Sequence, residues 1–227
     1  MSLKIKIVYF VYVNGDNWQD VVCEQMNSLK STNLYELADE ILISVVCDED
    51  QLKRLKHHIW VKWKKVKIFS FEKNNLYEYP GLKTVWDISQ TCNECVILYF
   101  HTKGISQSSK QRGGDDIRRI LFNATIKNYE VYLNEFQNNS QLDSAMVFPS
   151  EHGFAWYNFF WVRSSYVKNH LPKPEFTSHR YYWEHWIGSE HSSKKQPVTF
   201  SPIIGYSKFA NRAQFYAHRN KVWKKYS

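Results

Sequence analysis

The feature that most constrains the fold is a run of six apolar residues, Cys95 to Phe100, followed directly by His-Thr-Lys-Gly at 101–104. The run is too short for a buried helix and is rich in β-branched and aromatic side chains, which predicts a central strand covered on both faces. In an open α/β sheet, the carboxyl ends of the strands face the ligand crevice, so segment 101–104 is expected there. The segment also fits an ordinary exit turn in which Gly104 adopts a positive φ, and its spacing alone favours that alternative.

The first hundred residues alternate between predicted strands and helices. The strands are expected at 3–13, 40–47, 66–71 and 95–100, and the helices at 18–29, 51–64 and 82–90. This alternation is typical of a parallel, Rossmann-like sheet with helices on both faces. The fold class predicted for the chain is therefore α/β.

The second half of the chain is more irregular. A polar stretch at 105–114 is expected to be a mobile loop beside the crevice. Further elements are predicted as a helix at 117–136, a short strand at 146–149, an aromatic strand at 154–162, a short helix starting at 163 and a helical segment at 181–188. Residues 194–227 are basic and aromatic and are expected to form a tail.

Length and cysteine content indicate the compartment. A chain of 227 residues suits one domain, and no apolar stretch approaches the length that spans a bilayer. The chain starts without a recognisable signal peptide, and its four cysteines are few, which predicts a cytoplasmic protein. Cys92 and Cys95 have zinc spacing, but no second pair follows, so a structural role is expected for them.

The charge predicts an anionic partner. The formal net charge of +8 and the pI near 9.2 fit nucleotide phosphates, nucleic acid or a lipid surface. Much of this charge lies in the runs 53–67 and 212–225, and such runs are more often solvated faces than binding sites. Aromatic residues make up 17% of the chain, a content common where sugars or bases stack and equally common in plain cores.

Several segments together resemble a known family. They are the polar segment 101–104 behind its apolar strand, Asn-Phe-Phe-Trp at 158–161 leading into Arg-Ser-Ser-Tyr at 163–166, and Arg180 to Gly188. In this order they resemble small GT-A-like glycosyltransferases of bacterial polysaccharide loci and large algal (chlorella) viruses, related to rhamnan-synthesis-type domains. The resemblance extends from the first strand to about Gly188. It implies a GT-A-like α/β/α sandwich with a mostly parallel central sheet and a mixed, aromatic-rich C-terminal half.

The resemblance also implies an activity. It predicts a cytoplasmic glycosyltransferase that moves a hexose from a UDP-, GDP- or dTDP-sugar to a glycan hydroxyl, in the host cytoplasm if the protein is viral. One domain over residues 1–227 would comprise a nucleotide-sugar-binding half (1–104), an acceptor and catalytic half (105–193) and the basic tail (194–227). That tail could hold the enzyme at a membrane or near a lipid-linked acceptor.

Donor binding is predicted at the ends of the first strands. Similar enzymes usually carry Asp-x-Asp where this chain has His101, Thr102 and Lys103, which puts dependence on Mn²⁺ or Mg²⁺ in doubt. The Lys103 ammonium could offset diphosphate charge as a metal would, with His101 and Thr102 beside it. A cation held by His101 or Asp48 remains an alternative, and histidine would suit Mn²⁺ better than Mg²⁺.

Three other residues are candidates for the donor site, each with a structural alternative. Asp48 is expected either to contact the nucleoside or to cap the following helix. Tyr12 is expected to pack on the base or in the core. Arg163 is expected to grip phosphate or to lie on the surface.

The acceptor side is predicted in the C-terminal half. Glu184 is the candidate general base, since its aromatic surroundings could raise its pKa; the alternative is an ion pair with Arg180 one turn earlier. The candidate acceptor-stacking residues are Trp161, Tyr182, Trp183 and Trp186.

Two other function classes remain open. Charge and aromatics also fit a nucleic-acid-binding module, which would show salt-sensitive oligonucleotide binding and is the less favoured reading. The second open class is a sugar-binding protein of the same fold that binds glycans and catalyses no transfer. Glycine-rich dinucleotide loops, Walker motifs and Gly-x-Ser-x-Gly elbows do not occur, which argues against dehydrogenases, NTPases and α/β-hydrolases.

Overall fold

The computed structural model describes residues 3–13, 17–92, 94–102, 113–179, 181–188, 195–209 and 212–226. Its strands are β1 (Lys4–Tyr12), β2 (Glu40–Val46), β3 (Val66–Glu72), β4 (Cys95–His101), β5 (Ser144–Met146), β6 (Phe160–Arg163) and β7 (Thr199–Phe200). Its helices are α1 (Trp18–Lys30), α2 (Leu34–Leu37), α3 (Glu49–Lys62), α4 (Tyr79–Thr91), α5 (Gly113–Phe122), α6 (Tyr129–Asn138), α7 (Ser164–His170), α8 (Tyr182–His185) and α9 (Arg212–Tyr226).

These strands form one sheet in the order β3-β2-β1-β4-β6-β5-β7. The first four strands are mutually parallel, whereas β6 runs antiparallel to both of its neighbours, β4 and β5. Tyr99 of β4 pairs with Phe160, and Val96 pairs with Arg163, so β6 begins at the carboxyl edge of the parallel strands and ends at their amino edge. The predicted α/β class with a mostly parallel sheet is therefore confirmed.

Both faces of the sheet are covered, which explains the continuous apolar strands. All seven residues of β4 are buried. Along β1, Ile7 and Tyr9 face a core built with α1, α3, α6 and α9, whereas Val8 and Phe10 face a second core built with α4, α7 and α8. A strand between two cores needs apolar side chains at every position rather than at alternate ones.

Helix α4 packs very closely on the sheet. A Cβ placed on Gly81 would lie 2.8 Å from Phe10 Cβ and 2.9 Å from Tyr99 Cε2, so the helix can approach only because this residue has no side chain. The helix begins at Tyr79, three residues before the predicted start at Leu82, because Pro80 suits the first helical turn.

Two predicted elements differ in the structure. The predicted helix at 117–136 consists of α5 and α6, joined by one π-helical segment, Asn123–Lys127. The prediction of one strand over 154–162 is wrong. A 3₁₀ turn, Trp156–Asn158, interrupts it, with positive φ at Tyr157 (70°) and Asn158 (57°). The predicted strand at 146–149 is also shifted, since β5 is Ser144–Met146.

The segment expected to be a tail belongs to the folded core. Strand β7 pairs with β5, and Phe209, Phe215 and Val222 are buried. The Phe215 ring stacks on Trp156, with ring centroids 5.0 Å apart. Of the loop predicted at 105–114, residues 105–112 lie outside the described part of the chain, and α5 begins at Gly113. Among the helices in the described ranges, none is long and apolar enough to cross a membrane.

Candidate active site

The end of β4 reaches the carboxyl edge of the sheet as the sequence predicts. The Tyr12 backbone N–H donates to Thr102 Oγ1 at 3.0 Å, and the Thr102 backbone N–H donates to the Phe10 carbonyl at 3.1 Å. Thr102 is 3% exposed and His101 is 6% exposed. Both residues therefore join the ends of β1 and β4 and form the floor of this edge.

Backbone and aromatic contacts fix the His101 ring. Its Nε2 lies 3.0 Å from the Tyr157 carbonyl oxygen, which can only accept, so Nε2 carries a proton and donates it. The ring centroid of Phe159 is 5.1 Å away. The same Nε2 lies 3.9 Å from Glu78 Oε1. This imidazole connects β4 to the turn that precedes β6.

Glu78 is a central residue of this edge that the sequence analysis did not identify. Its Oε2 accepts a hydrogen bond from the Tyr99 hydroxyl at 3.1 Å and another from Asn158 Nδ2. Asn158 Nδ2 also donates to the Trp183 carbonyl at 3.3 Å. Glu78, which precedes α4, is therefore hydrogen-bonded to β4 and to the turn at Trp156–Asn158, and Asn158 extends the connection to α8.

The Tyr99 phenol remains protonated in this network. Burial raises its pKa well above the ordinary value, and the charge of Glu78 raises it further. A signal for Glu78 was present in the sequence, because it is the carboxylate between the third strand and its helix. In a parallel sheet, that connection lies at the carboxyl edge.

Glu184 lies at the same edge through Tyr157. Burial is the largest cause of the raised pKa of Tyr157; the Arg219 guanidinium hydrogen-bonds the phenol and opposes the rise, and the negative charge of Glu184 adds to it. Glu184 also directly follows Trp183, whose carbonyl accepts from the same Asn158 side chain that donates to Glu78, so its backbone joins the network at this edge. Arg219 belongs to α9, in the segment expected to be a tail.

Arg163 lies at the opposite edge of the sheet. It ends β6, pairs with Val96 near the start of β4, and donates to the carbonyls of Phe136, Asn139 and Leu142 at 2.9–3.1 Å. Its guanidinium also lies 5.2 Å from the centre of the Phe136 ring. Because β6 runs antiparallel to β4, Arg163 lies at the edge opposite the predicted donor site, and its predicted contact with donor phosphates does not form.

Most of the predicted acceptor-stacking rings lie in the core. Trp161 and Trp186 are fully buried, and their Nε1 atoms donate to the carbonyls of Thr125 and Pro172. Trp183 is 2% exposed. These three rings offer no free face to a sugar in this structure, which corrects their predicted placement. Tyr182 is half-buried, with its ring edge-on to Trp183.

An exposed aromatic group lies beside Glu78 instead. Tyr79 follows Glu78 directly, and its ring contacts both Trp183 and Phe176, at centroid distances of 5.8 and 6.2 Å. Phe176 is 54% exposed. Local sequence pattern does not predict this group, because Phe176 belongs to an irregular segment after α7.

The remaining donor-site candidates show mixed placement. Asp48 follows β2 and is exposed. Its Oδ1 accepts from the Gln51 N–H at 2.7 Å in a capping box, so Asp48 caps the following helix, as one of its two predicted roles requires. Tyr12 ends β1 and packs half-buried against both cores. Lys103 lies outside the described residues.

The side chains described at this edge do not fit a divalent cation. Within the described ranges, no group of three or more His, Cys, Asp or Glu side chains could hold a metal ion. Glu78 and His101 are the nearest such pair, and both use their polar atoms in hydrogen bonds to protein groups. Hard cations such as Mg²⁺ need several oxygen ligands, and this edge does not assemble them.

Solved structures show a related fold. Residues 1–349 of TarS from S. aureus superpose with a TM-score of 0.50 at 12% identity, over 97% of this chain and 64% of that chain. The chain thus spans less than two thirds of TarS 1–349. A 4-diphosphocytidyl-2C-methyl-D-erythritol synthase from Anaerococcus prevotii has a TM-score of 0.41 at 7% identity, over 97% of this chain and 98% of that chain. The likeness to TarS shows a GT-A-like, Rossmann-like fold.

Sequence comparisons give the family. The sequence has no match among curated proteins. Residues 8–179 match the family described as a domain of unknown function, DUF8361. That region contains the second half of β1 and all of β2 to β6, and therefore both walls of the candidate site except α8 and α9. The chain belongs to the DUF8361 family.

Proposed function

We propose that this protein is a glycosyltransferase that moves a hexose from a nucleotide-diphosphate sugar to a hydroxyl of a glycan. The observation that carries the proposal is the convergence of two chain halves at the carboxyl edge of a GT-A-like sheet. His101 and Thr102 come from the end of β4, whereas Tyr157 and Glu184 come from the second half. In open α/β sheets, this edge is where ligands bind.

The donor would bind along the ends of the first strands. Lys103 directly follows Thr102, and its ammonium would offset the charge of the diphosphate without a metal. Tyr12 is the last residue of β1, and Asp48 follows β2. Both would flank the nucleoside of a UDP-, GDP- or dTDP-hexose. The glycan acceptor would approach over Tyr182 and the exposed aromatic group of Tyr79 and Phe176.

Glu184 would act as the general base. Its carboxylate takes the proton of the acceptor hydroxyl while that oxygen attacks the anomeric carbon of the donor. The bond from that carbon to the diphosphate oxygen breaks, and the nucleoside diphosphate leaves with the bonding electrons. The Tyr157 phenol beside Glu184 has a raised pKa and remains a hydrogen-bond donor throughout.

Transfer assays with matched variants test this proposal. Glu184→Gln is expected to lower kcat by about 10²–10⁴ while leaving the donor Kd unchanged, because the amide cannot accept the proton. The control is Glu94→Gln, an exposed carboxylate at the amino edge of β4, which should retain full activity. Donor binding is measured by thermal shift with UDP-, GDP- and dTDP-sugars, each with and without Mn²⁺.

A second candidate is a sugar-binding protein of the same fold without turnover. It is favoured by one observation, that the side chains of His101 and Thr102 already make internal hydrogen bonds. In that case glycans would bind, no donor would be consumed, and Glu184→Gln would change nothing. Salt-sensitive oligonucleotide binding without any nucleotide-sugar binding would instead support a nucleic-acid-binding module.

A further inference from the structure

Helix α3 and the edge strand β3 form an exposed apolar surface away from the candidate site. Trp60 is 78% exposed, Val61 is 52% exposed and Phe69 is 47% exposed. A groove of about 810 Å³, lined among others by Ile59, Trp60 and Val66, runs between the helix and the strand. Exposed apolar surface of this kind marks an interaction site more often than a free face.

The spacing along α3 places cations around the tryptophan. Lys56 and Trp60 are one helical turn apart on α3, and Lys64 lies in the turn that follows the helix; all three line the groove. The buried residues Leu55 and Ile59 face the core instead. The α3–β3 face, defined here as Lys56, Trp60, Val61, Lys64 and Ile68, all of which line the groove, thus combines apolar side chains with lysine ammonium groups.

The positive charge around this face is uncompensated. In the ranges that the structure describes, Arg54, Lys56, Lys62 and Lys64 form no ion pair with a carboxylate. By contrast, Lys53 at the start of the helix pairs with Asp50 at 3.0 Å. The two of them that line the groove, Lys56 and Lys64, therefore remain available to an anionic surface.

We propose that the α3–β3 face docks on a bilayer that contains anionic phospholipids. Tryptophan is favoured at the headgroup level of membranes, and lysine stems can cover apolar surface while their ammonium groups reach lipid phosphates. The mixture of Trp60, Val61 and Ile68 with Lys56 and Lys64 matches that layer in polarity and in charge.

The edge of β3 is poorly suited to a second copy of the chain. The pairing register of β3 with β2 shifts so that Ile43 pairs with Ile68 and Ser44 with Ser70, which leaves Phe69 without a partner. Lys67 is exposed on the same strand. Irregular register and exposed lysines are devices that prevent edge-to-edge strand pairing.

Docking by this face leaves the candidate active site open. Trp60 and Lys64 lie just before Val66, the first residue of β3, which pairs with Ile41 near the start of β2. The face therefore extends toward the amino edge of the sheet, whereas His101 and Glu78 lie at the carboxyl edge. The inference is independent of the proposed function, because membrane docking needs no turnover.

Vesicle co-sedimentation of the full chain tests the inference. Vesicles of phosphatidylcholine alone are compared with vesicles containing about 30 mol % phosphatidylserine. We expect binding only to the anionic vesicles, a loss of about thirtyfold in partition coefficient for Lys56→Gln/Lys64→Gln, and a further loss for Trp60→Ala. Lys168→Gln/Lys224→Gln removes the same charge from exposed positions of α7 and α9 and should change binding less than twofold.

Each other outcome contradicts the proposal. No binding to anionic vesicles, or equal losses in the two lysine pairs, would exclude the α3–β3 face as the docking surface. Sedimentation velocity of the same variants tests whether a second copy of the chain occupies this face instead. If Trp60→Ala dissolves a dimer and leaves vesicle binding unchanged, a second copy covers this face. Circular dichroism melting of Trp60→Ala should match the parent protein, because the side chain is outside the core.

Discussion

Replacing Asn158 by aspartate tests the polar network at the carboxyl edge. The residue is fully buried, and its Nδ2 donates to the Glu78 carboxylate and to the Trp183 carbonyl. Its Oδ1 has no hydrogen-bond partner among the described residues, so the amide stabilises the fold through Nδ2. Asn158→Asp removes both donated bonds and places a second carboxylate against Glu78.

The magnitude follows from these contacts. The bond to a charged acceptor contributes about 1.5–3 kcal/mol and the bond to the carbonyl about 0.5–1.5 kcal/mol. An unpaired buried charge brings the expected loss in unfolding free energy at neutral pH to about 3–5 kcal/mol. For a chain of this size, that loss lowers Tm by roughly 6–20 °C.

The loss should depend on pH in a defined direction. Burial and the neighbouring Glu78 raise the pKa of the new carboxyl in the folded state above its unfolded value of about 3.9. An acid whose folded pKa is raised is least destabilising below its unfolded pKa; its cost grows as pH rises from the unfolded pKa to the folded pKa and is constant above that. The protonated carboxyl can also donate its O–H to Glu78, which restores one of the two bonds.

Urea unfolding of the parent and variant at about pH 4.5 and pH 7.5 measures this effect. Asn158→Gly is the matched control, because it keeps the positive φ of 57° and removes both hydrogen bonds without adding a charge. The control should lose about 2 kcal/mol at both pH values. A loss for Asn158→Asp that is no larger than the control, or that does not shrink at the lower pH, would refute the network described here.

Two further predictions concern packing and thiol chemistry. Gly81→Ala should destabilise the protein by about 1–3 kcal/mol in urea unfolding, because its methyl would lie 2.8 Å from Phe10 Cβ; the stabilisation of about 0.5–1 kcal/mol expected for this change in an ordinary helix would contradict the close packing. Burial raises the pKa of the Cys47 thiol to about 11 and of the Cys95 thiol to about 12, so neither should react with iodoacetamide at about pH 8 in the native protein. Mass spectrometry of the alkylated chain checks this, and rapid labelling of Cys95 would show that β4 opens.

The first half of the fold could be predicted from its sequence because local signals agree with tertiary placement there. β4 is apolar at every position before His101, and the structure covers it on both faces. Asp48 occupies the cap position before α3, and the capping box forms. Where alternation, capping and burial all indicate the same element, the sequence alone is sufficient.

The second half could not be predicted to the same extent because tertiary contacts override local pattern. The run 154–162 is apolar enough for a strand, but Tyr157 and Asn158 adopt positive φ, a conformation that aromatic residues rarely take. That turn is held by the bonds from His101 and to Glu78, which are distant in sequence. No local pattern contains those contacts.

The same limit applies to the candidate site. His101 and Thr102 were predicted at the carboxyl edge because a strand end defines it. Arg163 was misplaced, since its position depends on the direction of β6, and direction is set by pairing with β4 rather than by local sequence. Glu78 was overlooked because its role depends on Asn158, eighty residues later.

The reversed strand β6 also has a consequence for how the chain is made. Until residues 160–163 emerge from the ribosome, β4 is an open sheet edge, although β1 to β3 can already pair with one another. Unpaired edges recruit other strands, so a nascent chain paused before β6 is exposed to aggregation. The His101 ring gains its contact with the Tyr157 carbonyl only when that late strand pairs, so closing the edge of β4 and fixing this imidazole occur in one event, before β7 joins the sheet.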